Sequence, residues 1–172
     1  EDGWENWRKR IANIEVINQS ISDIYSDVAG KKYEVRLEYQ SRCGVNNYIN
    51  SLFKELDNNI EKDYARGFTG SGPHRDDVRV FINKFDTSVS ASRGEARTML
   101  LAIKNFEIIN LENNGEYKPI LLLDDVFSEL DGLRRKKLTT FLKKYQSFIT
   151  TTDADIIQNN ISASKIITAT QD

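Results

Sequence analysis

The run ILLLDD at residues 120–125 limits the possible folds of this chain more than any other stretch. Four consecutive aliphatic residues leave no position to face water. The run therefore predicts a strand buried on both faces, as in a parallel sheet, and not the half-solvated strand of an antiparallel one. Parallel strands need a crossover between them, usually a helix. Helical spacing lies on both sides: from about 94 to 111, with Met99, Leu100, Ile103 and Phe106 on one apolar face, and again over 132–145. SFITT (147–151) and KIITAT (165–170) read as further strands. Strand and helix alternating in this way predict an α/β sheet.

The first part of the chain has a different character. Residues 4–28 place Trp4, Trp7, Ile11, Ile14, Ile17, Ile21, Ile24 and Val28 at steps of three and four, predicting one long helix that stops at Gly30. YEVRLEYQ (33–40) alternates as a half-buried strand does, and 45–64 returns to helical spacing through Tyr48, Leu52, Phe53, Leu56, Ile60 and Tyr64. GFTGSGPHRDD (67–77) is rich in Gly, Pro and charge, so the main boundary is expected there. That gives a mainly helical domain over 1–66 and an α/β lobe over 67–172, with a strand near 78–83. Asn113-Asn114-Gly115 predicts a turn.

Composition excludes some function classes. With 172 residues, 39% of them apolar and 29% charged, the chain can bury a substantial core. A net charge of −2 gives no overall basic field of the kind that marks many nucleic-acid binders, although a local basic face is compatible with it. Cys43, the single cysteine, excludes an internal disulfide and a thiolate metal cluster, and suits a reducing cytosol. No run reaches the roughly 18 apolar residues of a membrane span, so no membrane partner and a cytoplasmic location are expected. The chain opens on Glu1 directly into a helical pattern and is expected to be a fragment of a longer polypeptide.

Asp124 and Asp125 fall at the carboxyl end of the predicted buried strand, where open α/β sheets place their ligands. A hydrophobic strand closed by two acids is what a Walker B element needs: the first carboxylate reaches Mg²⁺ at nucleotide phosphates and the second polarises a water. Two strand-end aspartates facing solvent would look the same. In SELD (128–131), Ser128, Glu129 and Asp131 could bridge to a second subunit, while Asp131 could equally cap the helix that begins at GLRRKKL. In SRGEART (92–98), a helix start with Ser92 and Gly94 could offer backbone N–H groups to an anion. Ser92 with Glu95 three residues on could also be a capping box with no ligand. No G-x-x-x-x-G-K-[ST] phosphate loop occurs.

GPHRDDV (72–78), SRGEART (92–98), PILLLDDVFSELD (119–131) and FITTTD (148–153), in that order, resemble the C-terminal part of the RecF family, bacterial DNA-repair ATPases of the ABC/SMC-like class. The likeness covers about 66 to 155. It implies the C-terminal portion of an ABC-type P-loop NTPase head, preceded by part of a mainly helical second domain. It also implies that Ser92, Gly94 and Glu95 form a signature motif facing the γ-phosphate of ATP held by a second subunit. Glu95 stands where the family generally has Gln, and a carboxylate there must bond backbone or ribose rather than phosphate. Asp124 would hold Mg²⁺, Asp125 would act as catalytic base in slow hydrolysis, Asp131 would belong to the D-loop, and Thr151 or Thr152 would orient water. His74 is expected to serve packing between the helical domain and the head rather than catalysis, and Arg75 could reach phosphate.

The implied whole is an ATP-dependent DNA-binding protein of replication, recombination, repair and the SOS response. It would dimerise with ATP, bind duplex or gapped DNA, and assist recombinase loading with RecO- and RecR-type partners. Without the phosphate loop, these residues alone are expected to bind ATP poorly and hydrolyse none. Two other readings stay open: a non-catalytic dimerisation or partner-docking module, and another SMC-like ATPase, which a long coiled coil would distinguish.

Overall fold

The structure, a computed structural model, describes residues 2–44, 47–115, 118–127 and 130–151, together with Lys165 and Ile167. The strand expected over 165–170 therefore lies outside the described residues. The chain divides into two compact units, Glu1–Ser22 with Tyr33–Ala91, and Asp23–Lys32 with Ser92–Asp172.

The first unit is built on an antiparallel sheet of β1 (Val35–Gln40), β2 (Asp77–Ile82) and the short β3 (Phe85–Asp86), in that order. Val35 pairs with Ile82 and Gln40 with Asp77. The β2–β3 hairpin turns at Asn83 and Lys84, both with positive φ (49° and 72°), the conformation a tight two-residue turn needs. The single long helix expected over 4–28 is instead two, α1 (Asp2–Asn18) and α2 (Ile21–Ala29). The reason is tertiary. Asn18 donates from Nδ2 to the Leu37 carbonyl at 2.9 Å and accepts the Leu37 N–H at 2.8 Å. Ser22 Oγ donates to the Val35 carbonyl and accepts the Val35 N–H, both at 2.9 Å. Two side chains thus satisfy the open edge of β1, and the helix breaks between them at Gln19 and Ser20.

The helix α3 (Tyr48–Arg66) ends at Gly67, whose φ of 78° is the left-handed conformation of a helix stop. Tyr48 is buried, but Phe53, Ile60 and Tyr64 of its expected apolar face are exposed. The Gly/Pro-rich segment after it is tied down. Its Pro73–Arg75 turn presents the Pro73 carbonyl to Arg10 of α1, and the Asp76 carboxylate accepts from Tyr39 at 2.6 Å and Tyr48 at 3.0 Å. His74 meets the Thr69 carbonyl at 3.2 Å, and Arg75 lies over the Phe68 ring. The boundary expected at 66/67 does not coincide with the division of the structure. Backbone pairing of β1 with β2 and the Asp76 bonds make 67–77 a connection inside one unit, which continues through the short α4 (Thr87–Ser90) to Ala91.

Burial and the hydrogen bond to Asp76 raise Tyr39 from 10.0 to about 12 and push Tyr48 further up, while burial and Glu112 raise Tyr145 to about 12. A tyrosine raised in the folded state favours folding fully below its unfolded value, and this contribution is lost as pH climbs through the folded value. Between about pH 10 and 12 the fold is therefore expected to lose stability. In a spectrophotometric titration, three of the seven tyrosines should ionise late, together with loss of the helical circular-dichroism signal. Ionisation of all seven in one early phase, with structure intact, would count against this account.

The second unit contains α2 from Asp23 onward, α5 (Arg93–Asn114), β4 (Leu121–Asp124), α6 (Gly132–Leu142) and β5 (Ser147–Thr150). β4 and β5 are parallel, with Leu121 beside Ser147 and Asp124 beside Thr150. Leu121, Phe127, Leu130, Leu138 and Leu142 form its core, joined by Leu123 and Ile149. Only one face of β4 is covered among the described residues: Leu122 is 78% exposed, and Ile120 just before the strand 57%. Residues along a strand alternate sides, and among the described residues the core covers the Leu121 and Leu123 side only. Gly30 ends α2 with φ 76°, and a Cβ there would collide with Leu133, so α2 and α6 come together at a position that only glycine fills.

Candidate functional site

The site begins where β4 ends. Asp124, exposed, accepts a hydrogen bond at Oδ1 from the hydroxyl of Thr150, its register partner on β5. Asp125 leaves the strand with φ 45°, a left-handed conformation that Asp and Asn adopt more readily than other side-chain-bearing residues. It is held there through its main chain. Its N–H donates to the Thr150 carbonyl at 3.1 Å and lies 3.3 Å from Thr150 Oγ1, and its carbonyl accepts from Arg97 Nη2 at 2.9 Å. Strand β5 and helix α5 therefore fix the backbone of the second acid from two directions, and its carboxylate is aimed by that backbone.

The sequence around Ser92 dictates the start of α5. Ser92 is the N-cap and forms a complete capping box: its Oγ accepts the Glu95 N–H at 3.2 Å, and Glu95 Oε2 accepts the Ser92 N–H at 2.9 Å. The Ser92 hydroxyl also donates to Glu95 Oε2 at 2.9 Å. The Glu95 carboxylate thus bonds its own backbone. These bonds, with the nearby Arg134 and Lys31 charges, hold its carboxyl below the usual range, so it is ionised near neutral pH. Thr98, fully buried, returns its hydroxyl to the Gly94 carbonyl at 2.7 Å and stiffens the first turn.

The start of α6 stands against the start of α5. Asp131 caps α6 by accepting the Arg134 N–H at 2.9 Å, and its other oxygen pairs with Arg134 Nη1 at 2.8 Å. That guanidinium covers Gly94, where a Cβ would stand 3.3 Å from Nη1. The capping reading of each helix start holds, and Arg134 over Gly94 brings Ser92, Gly94, Glu95 and Asp131 into one neighbourhood. Arg97 connects that neighbourhood to Asp125.

Ser128, Glu129, Thr152 and Asp153 lie outside the described residues. Thr151 is half-buried just past β5, but the hydroxyl that meets Asp124 belongs to Thr150. The parallel register decides this, and register is invisible until both strand ends are known. The basic run 134–137 is largely committed within the chain: Arg134 to Asp131, Arg135 Nε to the Phe127 carbonyl at 3.2 Å, and Lys137 to Asp27 at 2.8 Å. Among the described residues, no group of three or more His, Cys, Asp or Glu stands ready to hold a metal, and no helix is long and apolar enough to cross a membrane.

No family model matches the chain. Curated relatives do. The chain is 40% identical over 148 residues to the DNA replication and repair protein RecF of Clostridium novyi, covering 84% of this chain and 40% of that one. It is 39% identical over 157 residues to that of Geobacter sulfurreducens, covering 87% and 43%. Two solved structures of the recombination mediator protein RecF, one of RecF-ATP and one of RecF-ATPrS, align over 89% of this chain and 42–43% of theirs. Each does so with a TM-score of 0.70, at 32% and 31% identity. Over that length the chain shares the α/β fold of those RecF structures, with a parallel strand pair backed by helices. The chain belongs to the RecF family and corresponds to a C-terminal portion of such a protein. It spans about two fifths of the length of the curated relatives it matches.

Proposed function

We propose that this chain supplies the Mg²⁺-facing and water-activating carboxylates of an ATP-switched DNA-repair protein, together with a surface that closes over the nucleotide of a second subunit. The observation that carries this reading is Asp125, held in a left-handed conformation by β5 and α5 beside Asp124 at the carboxyl end of a parallel strand pair. Asp124 keeps one oxygen on Thr150 and has the other for a cation. A site with one protein carboxylate and phosphate oxygens suits Mg²⁺, which keeps several waters and seldom takes an all-protein cage. When bound, Mg²⁺ would neutralise charge on the transferring phosphoryl group. Asp125 would accept the proton of the attacking water.

Ser92 and Gly94 would meet the partner's γ-phosphate, with Glu95 holding the helix start, Asp131 contributing from the D-loop and Thr151 flanking the water. The phosphate cradle would come from a part of the protein beyond these residues, because no phosphate-loop motif occurs in them. By kinship with RecF, the whole protein would dimerise with ATP, bind duplex DNA at gaps and act with RecO- and RecR-type partners in the cytoplasm.

Sedimentation of the intact protein with Mg²⁺ and ATP, and duplex binding across a salt series, test this reading. The expected results are a dimer only with ATP, and a binding constant whose logarithm falls linearly with the logarithm of salt concentration. A protein that stays monomeric with ATP and ignores duplex DNA would overturn it in favour of a docking module.

A further inference from the structure

Glu95 poses an electrostatic problem for the proposed function. Its carboxylate, ionised near neutral pH, stands in the first turn of the helix that is to receive a phosphate. Like charges at such range repel unless something offsets them. We infer that Arg134 is a positioning residue that offsets Glu95 and ties the start of α5 to the Asp131 loop, so that the two segments present one surface that tolerates an anion. The inference rests on the proposal above that this surface faces a partner's phosphate.

The geometry separates this role from an ordinary surface ion pair. Arg134 and Asp131 are three residues apart on one helix start, and exposed pairs of that kind contribute little. Here the partners are unequally placed: the Asp131 side chain is 57% exposed but that of Arg134 only 18%. Arg134 Nε is buried with no hydrogen-bond partner among the described residues. Withdrawing a guanidinium from water to serve an exposed aspartate is unfavourable by itself. What the guanidinium gains is its place over Gly94, the residue next to Glu95, with Nη1 3.3 Å from where a Cβ would stand. The Arg134 and Lys31 charges both favour the ionised Glu95 carboxylate, after the Ser92 bonds. Gly94, proposed above for close approach of a phosphate, also leaves Arg134 its room.

The test uses the intact protein and reads the ATP concentration for half-maximal dimerisation, with thermal midpoints as a check on folding. Arg134→Ala should raise that concentration by about tenfold. Adding Glu95→Gln should bring it back to within about threefold of Glu95→Gln alone, because no uncompensated carboxylate remains. Arg134→Lys should keep most of the wild-type response and Arg134→Gln should not, which decides the matter if the alanine variant fails to fold. A double variant no better than Arg134→Ala, or Lys and Gln variants that behave alike, overturns the inference and leaves the ATPase reading standing. A wild type that never dimerises with ATP overturns both.

Discussion

Asp125→Asn in the intact protein should cut ATP turnover by about 10²- to 10⁴-fold while leaving ATP-dependent dimers in place. The substitution suits this position. Asn tolerates the left-handed backbone at φ 45° at least as well as Asp, and the bonds that fix the residue run through its N–H to Thr150 and its carbonyl from Arg97. What changes is the capacity to accept a proton. Phosphate release and sedimentation, measured on the same preparation, separate the two effects. Turnover within about threefold of wild type would remove Asp125 from the role of base.

The second large effect is on stability. Phe127, 1% exposed, sits in the core of the second unit, in the loop that carries the chain from Asp125 to the α6 cap. Phe127→Ala should cost about 3–5 kcal/mol through lost burial and the cavity left behind. The chain offers a convenient readout, because both of its tryptophans, Trp4 and Trp7, lie in the first unit, where they stack on each other and Trp7 stacks on Tyr48. In a denaturant titration, circular dichroism should show an early loss of structure while the tryptophan transition moves much less. Equal shifts of both signals would show that the two units unfold as one.

The parts of this molecule that were legible in the sequence are those governed by local chemistry. Ser92 with Glu95, and Asp131 ahead of α6, name their helix starts because a cap is a bond between neighbours in the chain. The aliphatic run before Asp124 names a strand that ends on carboxylates. What depended on distant partners was not legible. Nothing in residues 4–28 announces a break at Gln19, since it is set by Asn18 and Ser22 meeting a strand whose edge is known only in three dimensions. Asn83-Lys84 lacks the glycine that marks most tight hairpins, so β3 went unpredicted. Composition alone made 67–77 look like the main boundary of the chain, yet one carboxylate, Asp76, fastens it to two tyrosines. Thr150 and Arg134 join the site through register and through the approach of one helix start to another, neither of which leaves a local signature.

The treatment of β1 also affects what the sheet can become. Its outer edge would ordinarily be a docking place for any extended peptide, including a misfolded copy of itself. Asn18 and Ser22 occupy that place with side chains that imitate a neighbouring strand, meeting both the donor and the acceptor of Val35 and of Leu37. At the far side β3 is only two residues long. Among the described residues, mimicry thus denies the outer edge of β1 to another strand at Val35 and Leu37, and β3 offers a newcomer only two residues to pair with.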